Sequence, residues 1–182
     1  MNRLFVHDLT TGTNRFLSEQ LDADVSNLCW SADGAIIYFL SSEEAVIQLY
    51  KADCATGAIQ ALTNGQFDLS GLALAGDQLI TYRHSMERPN ELYRVNPADG
   101  SMTALTDENK ELMAQLKPVT VERHFIKTTD NQLMLTLVVD PPDFDPAKSY
   151  PTILYCSGGP QGNIGQFWSY RWNLRLMASQ GY

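Results

Sequence analysis

Three stretches of the chain repeat one pattern of hydrophobic and polar positions. Each opens with an apolar and aromatic strand, passes an Asp or Asn and a turn that ends in glycine, and closes as a second strand on Leu-Thr or Leu-Ser. The stretches are LFVHDLTTGTNRFLS from Leu4, LYKADCATGAIQALT from Leu49 and LYRVNPADGSMTALT from Leu92. Since Gly12, Gly57 and Gly100 can supply the positive φ that such turns need, the pattern predicts three β-hairpins.

A second pair of related segments lies between these hairpins, VSNLCWSADGAIIYFLSS and LSGLALAGDQLITYRHS. Matching Tyr38 with Tyr82 gives a repeat of about 44 residues with four short strands, which is typical of a β-propeller blade and not of a sandwich. We expect a hairpin at 1–20, a blade at 21–65 and another at 66–106. Because a ring closes with about four to eight blades, the others are expected outside this chain.

The blades carry no clear chemical motif. Five aromatic residues are interpreted as blade packing and not as a ligand-stacking site: Trp30, Tyr38, Phe39, Tyr82 and Tyr93. The polar stretch RHSMERPNELY is the exception, since Arg83, His84 and Arg88 could line a pocket or decorate a loop. The Pro-Asn pair that follows favours the loop.

The pattern changes after residue 106. TDENKELMAQLKPV predicts a linker helix within 107–120 that Pro118 ends, and the following stretch predicts a hairpin that turns at Asp130-Asn131. TILYC (152–156) lacks alternation, as expected for a strand covered on both faces. From Phe167, large apolar residues recur every four positions, which predicts a helix. Residues 152–181 therefore predict a strand and a helix that need a parallel partner strand.

Composition narrows the function classes. The net charge of −8 argues against binding to nucleic acid, and no apolar run approaches the ~20 residues that span a membrane. The three cysteines form no C-x-x-C pair, and His7, His84 and His124 lack the spacing of metal ligands. We therefore expect no metal and no cofactor. Unpaired strand edges of the blades could pair with a second copy of the chain, so a homo-oligomer is one of the expected partners.

The stretch DPPDFDPAKSYPTILYCSGGPQG follows the blades and precedes an aromatic helix that ends in Gly-Tyr. Together these features resemble the prolyl-oligopeptidase family of serine peptidases, and in particular its bacterial dipeptidyl-peptidase and acylaminoacyl-peptidase branch. The resemblance implies all-β propeller blades over 1–106, followed over 121–182 by the N-terminal part of an α/β-hydrolase domain. It also implies short peptide substrates and a bacterial periplasmic or cytoplasmic location.

In that family the segment matching Ser157, Gly158, Gly159 and Pro160 helps to build the oxyanion hole. Donors fixed in advance stabilise the charge that develops on the attacked carbonyl oxygen, and one donor contributes roughly 3–4 kcal/mol. Ser157 departs from the family, whose members usually carry His or Tyr there, so its side chain is an uncertain donor. Backbone amides could still serve.

The chain also lacks any G-x-S-x-G motif, and no Asp and His follow in the order that the fold requires. The catalytic Ser, Asp and His are expected beyond Tyr182, and these 182 residues are predicted to be inactive alone. The alternative is a non-catalytic propeller scaffold that binds peptides or partner proteins. That alternative would leave the buried-type strand and the Gly-Gly-Pro turn without a purpose.

Overall fold

The computed structural model describes residues 2–156 and 164–182. Its first part is a two-stranded hairpin followed by two four-stranded antiparallel sheets. The hairpin consists of β1 (Phe5–Asp8) and β2 (Thr13–Phe16). The first sheet consists of β3 (Val25–Trp30), β4 (Ile36–Glu43), β5 (Val46–Asp53) and β6 (Ile59–Ala61). The second consists of β7 (Asp68–Ala75), β8 (Gln78–Ser85), β9 (Arg88–Val95) and β10 (Met102–Ala104).

The strand order confirms the repeat that the sequence predicts. Each sheet is a meander in which sequence neighbours pair, β3-β4-β5-β6 and β7-β8-β9-β10, as in the blades of a propeller. The repeated hairpins share one turn. In each, a side-chain oxygen at the end of the first strand accepts backbone amides within the turn, and the glycine amide donates back to the carbonyl of that same residue. The residues at the strand end are Asp8, Asp53 and Asn96.

Alternation along the central strand of the first sheet places a hydrophobic core on both of its faces. Ile37 and Phe39 pack against the β1–β2 hairpin, whereas Tyr38 and Leu40 pack against the second sheet. Since successive residues of a strand point to opposite faces, one strand serves two layers. The sheet is covered on both sides by its neighbours, which is how blades stabilise one another.

The register corrects one feature of the predicted repeat. Cys29 pairs with Tyr38 in the first sheet, whereas Ala73 pairs with Ile80 in the second. The structural counterpart of Tyr38 is therefore Ile80 and not Tyr82, because the β3–β4 turn is two residues longer than the β7–β8 turn.

The predicted packing role is therefore right for some of the aromatic residues and wrong for others. Tyr38 and Phe39 are buried, but Trp30 and Tyr82 are about half exposed. Tyr82 lies on the face of the second sheet that no further sheet covers in the described part of the chain, and Trp30 ends the edge strand β3. The ring centroid of Tyr93 lies 5.1 Å from the Arg83 guanidinium.

The C-terminal part contains a hairpin and two short helices. They are α1 (Lys110–Ala114), β11 (Thr120–Lys127), β12 (Leu133–Asp140) and α2 (Leu174–Ala178). The helix α1 lies within the predicted linker, and the hairpin turns where the sequence predicts, with Asn131 at a φ of 64°. Neither helix has the length or the apolar character needed to cross a membrane, within the described ranges.

Two elements predicted near the C-terminus are not formed as expected. Residues 151–156 contain no strand and are exposed, and the helix predicted from Phe167 is reduced to the five residues of α2. A central strand needs partners for its backbone N–H and C=O groups, and no described residue supplies them. The structure thus shows the β-sheet region, while the α/β-hydrolase arrangement stays a prediction.

Candidate functional site

A cleft of about 400 Å³ lies where the blade turns meet the C-terminal part of the chain. Three parts of the molecule line it. The first sheet contributes Ser42, Ala45 and Ile47, the second sheet contributes Asp68 and His84, and the C-terminal part contributes Tyr155, Ile164, Gly165 and Phe167. The walls are mainly apolar, and they include three ionisable side chains, the carboxyl of Asp68, the imidazole of His84 and the phenol of Tyr155.

The predicted oxyanion-hole residues Ser157, Gly158, Gly159 and Pro160 lie outside the described residues. Both stretches that flank them do line the cleft, since Tyr155 precedes the segment and Ile164 follows it. Described residues on both sides of the Gly-Gly-Pro segment therefore lie at the cleft.

Asp68 and His84 face each other because they are partners in the β7–β8 ladder. The His84 Nε2 atom lies 4.0 Å from Asp68 Oδ2, and both side chains are largely buried. Asp68 Oδ1 accepts the backbone amide of Ile47 at 2.7 Å, which ties the second sheet to the β4–β5 hairpin of the first. The carboxylate thus belongs to the contact between the two blades and to the cleft at once.

The surroundings of Asp68 act on its acidity in opposite directions. Burial raises the pKa of the Asp68 carboxyl, and this effect exceeds the lowering by the amide of Ile47, the charge of His84 and the amide of Gln166. The ionised carboxylate is therefore held in the folded protein against a cost in desolvation. Perturbed carboxyl groups of this kind in a cleft mark candidate functional sites.

His84 and Asp68 do not form a catalytic triad within the described part of the chain. The Nδ1 atom of His84 is buried and has no hydrogen-bond partner there. A nucleophile-activating histidine must hydrogen-bond the serine hydroxyl that it deprotonates. The arrangement is therefore suited to holding chain segments together, and not to activating a nucleophile by itself.

The loop predicted around Arg83 and His84 is wrong. Strand β8 runs through Ser85 and β9 starts at Arg88, so Arg83 and His84 are strand residues and the turn falls at 86–87. Pro89 is tolerated in the strand because the register shifts there, between Arg83 and Ser85. The sequence also allowed these residues to line a pocket, and His84 does line the cleft.

The Arg83 side chain is held away from that role by aromatic rings. Its guanidinium lies 4.1 Å from the ring centroid of Phe67 and 5.1 Å from that of Tyr93. Stacking of this kind between a cation and two rings stabilises the fold. Arg83 does not line the cleft.

Sequence reasoning missed Asp68 and Gln166. The triplet Asp-Leu-Ser at Asp68 repeats Asp-Val-Ser at Asp24. The repeat therefore identifies Asp68 as a blade residue and gives no sign that it also lines the cleft. Gln166 is almost fully buried, and its Oε1 accepts the amide of Met86 at 3.4 Å. No local pattern in the sequence points to this contact, which joins residues 80 positions apart.

Comparison with known proteins adds independent evidence. No family model matches the chain. The dipeptidyl-peptidase 5 of Porphyromonas gingivalis is 48% identical over 182 residues, which is the whole of this chain and 27% of that protein. An acylaminoacyl peptidase solved in complex with Z-Gly-Gly-Phe-chloromethyl ketone is 25% identical with a TM-score of 0.82, over 99% of this chain and 27% of that one.

A third match concerns the fold alone. The dipeptidyl peptidase 4 of Porphyromonas gingivalis is 22% identical with a TM-score of 0.72, over 99% of this chain and 26% of that structure. The chain spans about a quarter of the length of the relatives that it matches.

Proposed function

The chain belongs to the prolyl-oligopeptidase family of peptidases, and from this premise we propose that it is part of a serine exopeptidase. The substrates are short peptides, from which the enzyme releases a dipeptide or an acylated amino acid at the N-terminus. The observation that carries the proposal is the 48% identity to a dipeptidyl-peptidase over the 182 residues of the chain.

The geometry of the cleft supports the same proposal. Tyr155 and Ile164 bring both flanks of the Gly-Gly-Pro segment to the end of the blades. A propeller stacked on a catalytic site screens out folded proteins and admits peptides. In this proposal, 121–182 is the start of the hydrolase domain, Ser157 to Pro160 form its oxyanion-hole region, and no cofactor takes part.

The chemistry requires groups that this chain does not carry. The serine Oγ of the complete enzyme attacks the scissile carbonyl carbon while a histidine removes its proton, and the carbonyl electron pair moves onto oxygen. Backbone donors near the glycines stabilise that oxyanion. When the pair returns, the amine leaves with the proton from the histidine, and water then hydrolyses the acyl-enzyme. The 182 residues alone are inactive in this proposal.

The proposal is tested with the complete protein and two sets of fluorogenic substrates. One set carries a free N-terminal dipeptide, and the other carries an acetylated amino acid on the same leaving group. We expect release of the fluorophore from at least one set. Tight binding of the same peptides without any cleavage would support the propeller scaffold instead and overturn the peptidase proposal.

A further inference from the structure

Residues on the C-terminal side of the Gly-Gly-Pro segment are held against the blade turns. We call residues 164–167 the return segment. Gly165 packs so closely on the carbonyl of Ala45 that a Cβ atom at this position would lie 2.6 Å from that oxygen. The next residue, Gln166, accepts the amide of Met86 at the β8–β9 turn. The return segment thus contacts a turn from each blade.

Asp68 connects these two contacts. Its Oδ1 atom accepts the amide of Ile47, and its Oδ2 atom lies on the side of Gly165, where a Cβ atom would be 3.2 Å away. The backbone amide of Gln166 lies near enough to the carboxylate to lower its pKa as a hydrogen-bond donor. One carboxylate therefore joins a hairpin of the first blade, a strand of the second and the return segment.

The contact between the blades does not require the charge of this carboxylate, since the amide of Ile47 needs only an oxygen acceptor. Because burial raises the pKa of Asp68, its ionisation lowers the stability of the folded protein increasingly as the pH rises from the unfolded pKa to the raised folded value. A neutral amide of the same shape would avoid that desolvation cost. Residues that lower stability in this way are typical of functional sites.

We infer that Asp68 is a positioning residue that holds Gly165 and Gln166 on the blade turns and so fixes the position of the return segment beside the cleft. Its effect on catalysis rests on the proposed function, because the return segment follows the predicted oxyanion-hole region. A displacement of about 1 Å in a catalytic arrangement can lower a rate on the order of 100-fold. Asp68 does not touch the reacting atoms in this inference.

Asp68→Asn in the complete protein separates positioning from support of the fold. Asn can keep its oxygen on the amide of Ile47, but the NH₂ group that then lies on the side of Gly165 is a donor and cannot accept a hydrogen bond from the return segment. We expect kcat to fall on the order of 10- to 100-fold with KM changed less than about twofold, and the melting temperature to stay equal or rise. Asp77→Asn removes the same charge from the β7–β8 turn of the same blade and should change none of these values.

A second variant disturbs the packing of the return segment on the blade turns from the side of Gly165. Gly165→Ala places a methyl group against the carbonyl of Ala45 and beside the Asp68 carboxylate, and it should lower kcat in the same way while the charge of Asp68 is kept. If Asp68→Asn lowers the melting temperature in step with kcat, or leaves kcat unchanged in an active enzyme, the inference is overturned.

Hydrogen exchange in the 182-residue chain tests the contact without any activity. The amide of Gln166 should exchange about tenfold faster in Asp68→Asn than in the wild type or in Asp77→Asn, since one hydrogen bond contributes on the order of 1 kcal/mol. Equal exchange in all three proteins would contradict the inference. Absence of peptidase activity in the complete wild type would overturn the proposed function alone, and the exchange result would still decide the role of Asp68.

Discussion

The blade region and the C-terminal region differ in how much of their hydrogen bonding and apolar surface they satisfy internally. The largest fully buried side chains in the described part of the chain all belong to the blades and their connections, and they include Phe39, Leu49 and Val95. In the C-terminal region Leu154 is 81% exposed, although its strand-like segment is as apolar as those of the blades.

The difference shows that hydrophobic composition does not by itself make a strand. Antiparallel meanders complete their own ladders within about 40 residues, and each sheet covers the next. A central strand of a parallel sheet pairs with strands that are distant in the sequence, because parallel neighbours are joined by long crossover connections. The blades are therefore the stable unit of this chain, and the C-terminal region is attached to them through a few specific contacts.

The largest predicted effect comes from one substitution made in both regions. Leu49→Ala removes a side chain with no exposure and should lower the free energy of unfolding by roughly 3–4 kcal/mol through lost burial and a cavity. Leu154→Ala should change it by less than about 0.5 kcal/mol. Urea denaturation of the two variants measures both values, and equal losses would contradict the comparison.

The contact between the blades gives the next largest effect. Gly100→Ala strains a residue at a φ of 73° and pushes its methyl group onto the carbonyl of Leu62 in the first sheet, so we expect a loss of roughly 2–3 kcal/mol. Gly12→Ala has a similar φ of 68° but open space around it, and should cost about 1 kcal/mol. If thermal denaturation shows the same loss for both, the turn of the second blade does not pack on the first.

The attachment of the C-terminal hairpin to the blades should be weaker. Arg123 in β11 donates to the carboxylate of Glu44 at 2.7 Å and to the carbonyl of the same residue, at the tip of the β4–β5 hairpin. A double-mutant cycle with Arg123→Ala and Glu44→Ala should give a coupling of about 0.2–1 kcal/mol, as for partly exposed ion pairs. The coupling should fall at high salt, and a coupling of several kcal/mol would mean that the hairpin is integral to the blades.

The smallest effect is a pH dependence of the repeated turns. Hydrogen bonds from the amide and hydroxyl of Thr56 and from the amide of Ala55 hold the pKa of Asp53 below its usual 3.8. A lowered folded pKa stabilises the protein above the unfolded value, and this contribution is lost as the pH falls through the folded value. The melting temperature of Asp53→Asn should therefore approach that of the wild type below about pH 4.

A difference in melting temperature between Asp53→Asn and the wild type that stays the same down to about pH 2 would show that the turn hydrogen bonds are not responsible for the effect.

Most of the blade region could be predicted from the sequence, because its signals are local. The three glycine turns, the two four-stranded sheets and the Asp130-Asn131 hairpin follow from residues close together in the chain. The match of Tyr38 with Tyr82 was wrong because the β3–β4 turn is two residues longer than the β7–β8 turn. A constant offset of 44 residues therefore does not align the strands that follow these turns. Register depends on turn length, which a spacing of 44 residues does not reveal.

The candidate site was predicted only in part, for a different reason. His84 was assigned to a loop because Pro89 and Asn90 imitate a turn, whereas the ladder between β8 and β9 tolerates the proline at its irregularity. The role of Asp68 depends on Gly165 and Gln166, nearly 100 residues away in the chain. Contacts between residues so far apart in the sequence are determined by tertiary packing, and the periodicity of the sequence does not predict them.

We propose that this chain supplies the oxyanion-hole side of a serine peptidase, with the nucleophile in another part of the complete protein. A fluorophosphonate probe tests it most directly, because it forms a covalent bond only with an activated serine. The account predicts one labelled serine in the complete protein, outside residues 1–182, and no label on the 182-residue chain. A label on Ser157 or on any other serine of this chain, or no label on the folded complete protein, would contradict it.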